Sequence, residues 1–411
     1  MKRANASGPL RRFLLLRSQA LVAFVCGLLG FSGCASSPPR DTLTDRFTQA
    51  CAALDAGDLD GAAQQLRALR EEKPGLPELR VLESLLTLRR ERPALDWLEA
   101  FLQAWNHAGR PDLRDSTLLP ATFTAEPPAK GANAARMGAS EQQEDPLRVL
   151  ARDPDEARGR LLLQHLKELN PPELLFAADS FFKHPSVPAE LRASAAQALR
   201  ARLSELTLSS PRAMQYPAQL LMDGTSPEAP FTSEELQALE TIASLPDWRE
   251  TDFHVLFQHA LNRLQAAGYP EPTYAAFSVA VASLATEPAF LLYKRTEASR
   301  AVLSRQQLHQ LGEALWRIGS RMAEESTLLE RLVAGRMMVD GAQLVEDEER
   351  AQQASALQDE ARAAADAMRQ AAPDRWPLQA LNTALTDAHT RDELGFMFRF
   401  LPPGPDSYGV P

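Results

Sequence analysis

The stretch GDLDGAAQQLRALREEKP, residues 57–74, decides the fold class of this chain. Its apolar side chains recur every three or four residues, which is the period of an α-helix with one buried face. Gly57 and Pro74 mark the two ends, because glycine and proline interrupt helices. We therefore predict a helix between these breaks, with an apolar stripe formed by Leu59, Ala62, Ala63, Leu66 and Leu69.

A second apolar stripe of helical period follows, and it is formed by Leu95, Leu98, Phe101, Leu102 and Trp105. Between and before the two stripes the chain keeps the same composition, with turn residues at short intervals. Residues 42–108 therefore predict four helices joined by tight turns.

Four residues of this region fall at the offsets of a known repeat: Gly57 at the turn, Leu59 two residues later, Ala62 at a small position and Pro74 at the close. They resemble the tetratricopeptide repeat, a helical hairpin of about 34 residues. The resemblance implies hairpins over residues 42–109 that stack as a solenoid, with a concave groove for helices or extended peptides.

The match to the repeat is incomplete. Ala50 fits the small position of the first helix, but Arg46 and Ala53 stand where aromatic residues are usual, and Leu69 replaces a small residue. The next window, residues 77–110, keeps the hairpin without the signature. A generic helical hairpin is the alternative interpretation.

The rest of the chain predicts a second helical body. Residues 110–145 contain several prolines and no apolar period, so we predict a flexible linker there. Residues 146–400 are again helical in pattern, and residues 401–411 form a tail. The predicted class is all-α, with a solenoid resembling the tetratricopeptide repeat followed by a second helical domain.

Four segments of the second body have the pattern of a capping box, and they start at Asn170, Thr232, Ser304 and Thr390. The charged, alanine-rich residues 346–370 predict a long outer helix. Residues 274–285 alternate like a strand, but their alanine content and the lack of a partner favour a helix. The apolar C-terminal side chains predict a last helix docked on the core, and an exposed sticky end is the alternative: Phe396, Met397, Phe398, Phe400 and Leu401.

The N-terminus has the composition of a secretory signal. Residues 1–33 contain five basic and no acidic residues, and an apolar run of about ten residues covers 20–29. This run is shorter than the ~20 residues that span a bilayer, so an uncleaved anchor is the weaker interpretation. The pair Arg11-Arg12 is only distantly like a twin-arginine signal, and an ordinary charged head is the simpler interpretation.

The end of this segment, Ser32-Gly33-Cys34, resembles the lipobox of bacterial lipoproteins, although Phe31 stands where that family prefers leucine. The resemblance implies that Cys34 receives diacylglycerol, that residues 1–33 are removed, and that the new amino group is acylated, for example with palmitate. Residues 34–41 then form a tether. A secreted protein with a chance cysteine is the alternative.

The net charge and the cysteine content limit the partners and the disulfide bonds that this chain can have. The full chain has a net charge of −10, and removal of the five basic residues of 1–33 leaves −15. This argues against nucleic acid as a partner. Cys26 leaves with the signal and Cys34 takes the lipid, so Cys51 has no internal disulfide partner. We predict that Cys51 is a buried, inert thiol, and an intermolecular bridge is the alternative.

The sequence contains no motif that predicts a catalytic, cofactor-binding or metal-binding residue. His254 and His259 are five residues apart and do not converge on one helix face. Ser180 and Lys183 match the S-x-x-K pattern of penicillin-binding enzymes, but the companion motifs are absent. The acidic run 346–349 is explained by a solvated helix start.

We therefore expect a non-catalytic, lipid-anchored helical scaffold in the cell envelope, on the inner or outer membrane. Its expected partners are the membrane, through lipid at Cys34, and a protein or peptide. The alternatives are an envelope or cell-wall enzyme with an unrecognised all-α active site, and a purely structural surface protein. A deep pocket with converging His, Asp or Glu side chains would favour the enzyme.

Overall fold

A computed structural model describes residues 42–120 and 145–402. Within these two ranges the chain forms eighteen α-helices and two short 3₁₀ turns but no strand, and one isolated bridge pairs Ala213 with Asp247. The prediction of an all-α protein is confirmed. The chain divides into two compact units: unit 1 comprises residues 1–125 and 372–382, and unit 2 comprises residues 126–371 and 383–411.

Unit 1 contains four helices in two consecutive hairpins: α1 (Thr42–Asp55), α2 (Leu59–Glu72), α3 (Pro77–Glu91) and α4 (Trp97–His107). Each helix packs mainly on the next one in sequence. The carboxylates of Asp58 and Asp96 accept hydrogen bonds from backbone N–H groups of the first turns of α2 and α4. These caps offset the unpaired N–H groups of a helix start, so the sequence fixes both hairpin entries locally.

Residues 372–382 contribute to the core of unit 1. Trp376 is fully buried, and its ring centroid lies 5.7 Å from that of Phe47 and 5.5 Å from that of Phe101. The Asp55 carboxylate accepts hydrogen bonds from the backbone N–H groups of Gln379 and Ala380, where a further helix begins. A segment remote in sequence therefore completes the apolar interior of the hairpins.

Residues 111–120, which the sequence assigned to the linker, also belong to unit 1. Leu113, Leu118 and Leu119 are buried there. The Arg375 guanidinium holds this segment, since it donates hydrogen bonds of 2.6–3.0 Å to the carbonyl oxygens of Arg114, Ser116, Leu119 and Pro120. One planar cation thus satisfies several backbone acceptors of an irregular segment.

Unit 2 contains the remaining helices: α5 (Pro146–Leu150), α6 (Glu156–Gln164), α7 (Leu174–Phe182), α8 (Ala189–Ser209), α9 (Gln215–Met222), α10 (Ser233–Ala243), α11 (Phe253–Ala266), α12 (Pro272–Ala282), α13 (Thr286–Ser299), α14 (Arg305–Met322), α15 (Leu328–Leu344), α16 (Glu348–Ala371), α17 (Gln379–Arg391) and α18 (Glu393–Phe398). The first residues of α17, up to 382, are the exception, because they belong to unit 1. The inward side chains of the unit 2 helices form one continuous apolar core that extends from Leu147 to Ala354. The segment predicted to be helical despite its alternation is α12.

Two of the four predicted capping boxes are present. Thr232 and Glu235 form one at α10, and Ser304 and Gln307 form another at α14. The other two predictions are wrong. α7 starts at Leu174 without a side-chain cap because the carboxylate of Glu173 binds residues of other elements.

The fourth predicted box, at Thr390, lies at the end of α17 rather than at a helix start. Its hydroxyl donates to the carbonyl oxygens of Thr386 and Asp387. Asp392 is the residue that caps the next helix, α18, through a 2.9 Å hydrogen bond from Gly395 N–H. The apolar C-terminal residues dock as predicted: Phe396, Met397 and Phe400 are buried.

Helices α14, α15 and α16 pack side by side, α15 against both of the others. Gly312 and Gly341 allow α14 and α15 to approach closely, since a Cβ atom built on Gly312 would lie 2.7 Å from the Gly341 carbonyl oxygen. Helix α16 buries a stripe of alanines that begins at Ala351 and ends at Ala371, with its charged side chains on the other face. The helix predicted over 346–370 is therefore amphipathic, and alanines form most of its buried face.

Among the described residues, one segment, Pro272–Ser299, has the length and apolar character to cross a membrane, with a mean hydropathy of 1.6. It consists of α12 and α13, and 56% of its most apolar window is buried inside the protein. The core of unit 2 accounts for these apolar side chains.

Candidate functional site

The most unusual polar feature of unit 2 is a group of buried ionisable side chains, Arg249, Glu325 and Glu330, which we call the buried ion cluster. Arg249 lies in the loop between α10 and α11, Glu325 lies in the turn after α14, and Glu330 lies in the first turn of α15. Ionisable side chains are rarely buried unless they are paired, so such a group is the natural place to look for function.

Arg249 is the centre of the cluster. Its Nη2 atom lies 2.8 Å from Glu325 Oε2, and its Nε atom lies 3.0 Å from Glu330 Oε1. Both contacts have ion-pair distances without hydrogen-bond alignment, whereas Nη1 donates a 2.6 Å hydrogen bond to the Thr251 carbonyl oxygen. The Arg249 and Glu330 side chains are 1% and 0% exposed, and Glu325 is 17% exposed.

The cluster contains two carboxyl groups for one guanidinium, and this imbalance decides its protonation. Burial raises the pKa of Glu325 to about 7, and the negative charge of Glu330 adds to the effect while Arg249 opposes it. Burial also raises the pKa of Glu330. When one of the two carboxyl groups is protonated, the remaining carboxylate balances the Arg249 charge and the cluster is neutral. Neutrality is the state of lowest free energy for a buried group of this kind.

Further polar side chains continue the cluster around the start of α15. Thr327 caps the helix and donates a 2.7 Å hydrogen bond to Glu330 Oε2. Glu393 of α18 accepts a 2.7 Å hydrogen bond from Leu328 N–H, and its other oxygen lies 3.3 Å from His389 Nε2. The first turn of α15 therefore lies beside the carboxyl groups of Glu330 and Glu393, and the N–H groups of a helix start favour such neighbours.

A second buried network lies on the other side of the Arg249 loop. Glu173 is fully buried and accepts hydrogen bonds from Tyr216 Oη (3.1 Å) and Thr251 Oγ1 (2.9 Å). Burial, reinforced by the charge of Glu173, raises the pKa of the Tyr216 hydroxyl. Thr251 thus links Glu173 to Arg249, whose guanidinium binds the Thr251 carbonyl, and the network joins α7, α9 and the loop before α11.

The two carboxyl groups of the cluster differ in exposure: Glu330 is fully buried, whereas Glu325 is 17% exposed. Two depressions of the described surface, one between α10 and α14 and one along α2, are lined by residues other than those of the cluster. Within residues 42–120 and 145–402, no group of three or more His, Cys, Asp or Glu side chains could hold a metal ion. The buried ion cluster can hold a proton, and it fixes the loop between α10 and α11.

The residues predicted from the repeat resemblance lie in the first hairpin. Gly57 has a φ of +77° in the turn, and Ala62 is buried between the helices. Leu59 is half-buried at the start of α2, whereas Pro74 is exposed in the turn after it. These positions agree with a turn, a packing contact and a helix end. Cys34, predicted to carry lipid, lies outside the described residues.

The remaining motifs from the sequence do not form sites. Ser180 is exposed, and Lys183 binds Asp179 and Glu287 at 2.6 and 2.5 Å rather than activating the serine. Cys51 is fully buried with a free thiol, and burial raises its pKa. The acidic run at 346–349 is a helix start, where Asp347 caps α16 through Arg350 N–H.

Sequence reasoning missed the buried ion cluster. Arg249 and Glu330 are separated in the sequence by four complete helices, α11 to α14, and each lies in a stretch of ordinary charged composition. No local pattern marks them. The chain was also compared with protein-family models, curated proteins and solved structures, and none of them matches.

Proposed function

We propose that this chain is a lipid-anchored envelope protein whose helical body is a non-catalytic scaffold for protein–protein interaction. The observation that carries the proposal is the consecutive packing of α1 to α4 as two hairpins with the turn and small residues of a tetratricopeptide-like repeat. Arrays of this kind bind helices or extended peptides along their first helices.

The interior of unit 1 supports a binding role rather than a reaction. Among the described residues of this unit, the buried side chains are apolar except for that of Glu78. Its best-formed depression runs along the exposed face of α2, with Asp58, Arg67 and Glu71 in its wall. Such an open polar surface is typical of a contact region and not of an active site, which buries its substrate.

The scaffold proposal is tested by placing a photo-crosslinking residue at Gln49 of α1 or Thr87 of α3, both exposed. The matched control carries it at Gln352 of α16, which is also exposed. In intact envelopes we expect the α1 and α3 positions to give the same partner adduct and the control to give none. Absence of a reproducible adduct from Gln49 and Thr87 would contradict the proposal.

The anchor is tested separately. Cys34→Ala should abolish incorporation of a fatty-acid probe and release the chain from the membrane fraction, since two or more acyl chains hold a protein stably at a bilayer. Cys51→Ala is the matched control, because that thiol is buried. Equal labelling of Cys34→Ala and the unchanged protein would exclude lipidation at this residue.

A further inference from the structure

The depression between α10 and α14 in unit 2 differs in chemistry from the rest of this acidic chain. It has a volume of about 520 Å³ and is open to solvent. One wall is the end of α10 and the turn after it, and the other is a face of α14. The side chains that matter are Ser244, Pro246, Trp316, Arg317, Ser320 and Arg321.

The charge of this surface is positive. Two arginines and no acidic residue line it, although the whole chain has a net charge of −10. Arg321 pairs at 2.8 Å with Glu324, but both side chains are about half exposed, so the pair is weak. Arg317 is exposed and makes no ion pair or hydrogen bond within residues 42–120 and 145–402. A guanidinium is thus available to a ligand.

Trp316 provides an apolar anchor beside the two cations. Its indole is half-buried, and the Arg350 guanidinium lies 5.1 Å from its ring centroid. Arg350 is itself held by Glu313 at 2.8 Å and by Asp347 at 3.3 Å. The ring is therefore fixed before any partner arrives, and tryptophan and arginine are the residues that contribute most often to protein-binding energy.

We infer that this depression is a docking site for an acidic peptide segment of a partner protein, with carboxylates at Arg317 and Arg321 and an apolar side chain at Trp316 and Pro246. The inference rests on the proposed scaffold function and adds a contact surface on unit 2. A long nucleic acid does not fit, because two cations on an acidic body offer too few phosphate contacts. The depression is also too open to enclose a small ligand.

The test uses the full chain in detergent and a phage library of random twelve-residue peptides. We expect the enriched peptides to be rich in Asp and Glu. For the most enriched peptide, the Arg317→Glu/Arg321→Glu double variant should raise the Kd at least about tenfold. The matched control is Arg362→Glu/Arg369→Glu on α16, which makes the same charge change at exposed positions and should alter the Kd less than about twofold.

The outcomes separate this inference from the scaffold proposal. Enrichment of peptides without excess acid, no enrichment, or an equal loss in both double variants overturns the docking site. If that happens while Gln49 and Thr87 still crosslink a partner, only the docking site fails. If acidic peptides bind as expected but no adduct forms at Gln49 and Thr87, the hairpins are not the binding surface.

Discussion

Because the folded chain holds the Glu325 proton more tightly than the unfolded chain, unit 2 should become less stable as the pH rises from about 4.5 to about 7, and Glu325→Gln should remove this dependence. The carboxyl group is 17% exposed and has a pKa of about 7, against 4.5 for an unperturbed group. Below pH 4.5 it is protonated in both the folded and the unfolded chain. Between 4.5 and about 7 the unfolded chain loses the proton while the folded chain keeps it.

This difference fixes the sign and the size of the effect. Because only the unfolded chain is ionised in that interval, the free energy of unfolding falls as pH rises, and the loss is complete above about pH 7. The pKa of Glu325 differs by about 2.5 units between the unfolded and the folded chain, which corresponds to about 3 kcal/mol of unfolding free energy. About 2.5 kcal/mol of this is lost between pH 5 and pH 8.

The assay is urea unfolding followed by circular dichroism at several pH values from 5 to 8. Relative to the unchanged protein, Glu325→Gln should gain about 2.5 kcal/mol of stability on going from pH 5 to pH 8. Glu324→Gln is the control. The Glu324 carboxylate is next to that of Glu325 in the sequence, but it is 64% exposed and lies on the surface. Parallel pH profiles for the unchanged protein and Glu325→Gln would refute the assignment of a proton to this carboxyl group.

Three further changes test the packing. Trp376→Ala should cost unit 1 about 3–5 kcal/mol in urea unfolding, since it empties a fully buried site beside Phe47 and Phe101; a loss below about 1 kcal/mol, similar to that of Trp376→Phe, would show that residues 372–382 do not complete that core. Arg375→Met should cost about 1–3 kcal/mol and speed hydrogen exchange of residues 113–120, because the Arg375 guanidinium binds carbonyl oxygens of that segment. Unchanged exchange there would contradict the role of Arg375 in holding the segment. Gly312→Ala should cost about 1–3 kcal/mol, because its Cβ would meet the Gly341 carbonyl at 2.7 Å. If it unfolds at the same urea concentration as Gln306→Ala, a control at an exposed position of α14, then α14 and α15 are not that close.

The parts of the fold that could be predicted from sequence are those set by neighbours within a few residues. The stripe from Ala62 to Leu69, the turn at Gly57 and the capping boxes at Thr232 and Ser304 depend on contacts one to four residues apart. Helical period and capping chemistry are local in the same sense, so the pattern was sufficient.

The parts that could not be predicted depend on partners remote in the chain. Glu173 has the sequence context of a helix cap, but its carboxylate binds Tyr216 and Thr251 instead. Trp376 follows a long surface helix and is nevertheless a core residue of the hairpin unit. The same limitation applies to the candidate site, because the pairing of Arg249 with Glu325 and Glu330 has no local signature.

The contacts of the buried ion cluster show that it fixes a loop of unit 2. The Arg249 and Glu330 side chains are 1% and 0% exposed, so their charges act on neighbouring elements of unit 2. What the cluster does hold is the loop after α10: Arg249 ties it to α15, and Asp247 and Trp248 accept backbone hydrogen bonds of 2.9 and 3.0 Å at the start of α9. That loop continues directly from the turn that forms one wall of the depression beside Trp316. A wall fixed by buried charges loses little freedom when a partner docks, and this preorganisation is what a binding surface requires.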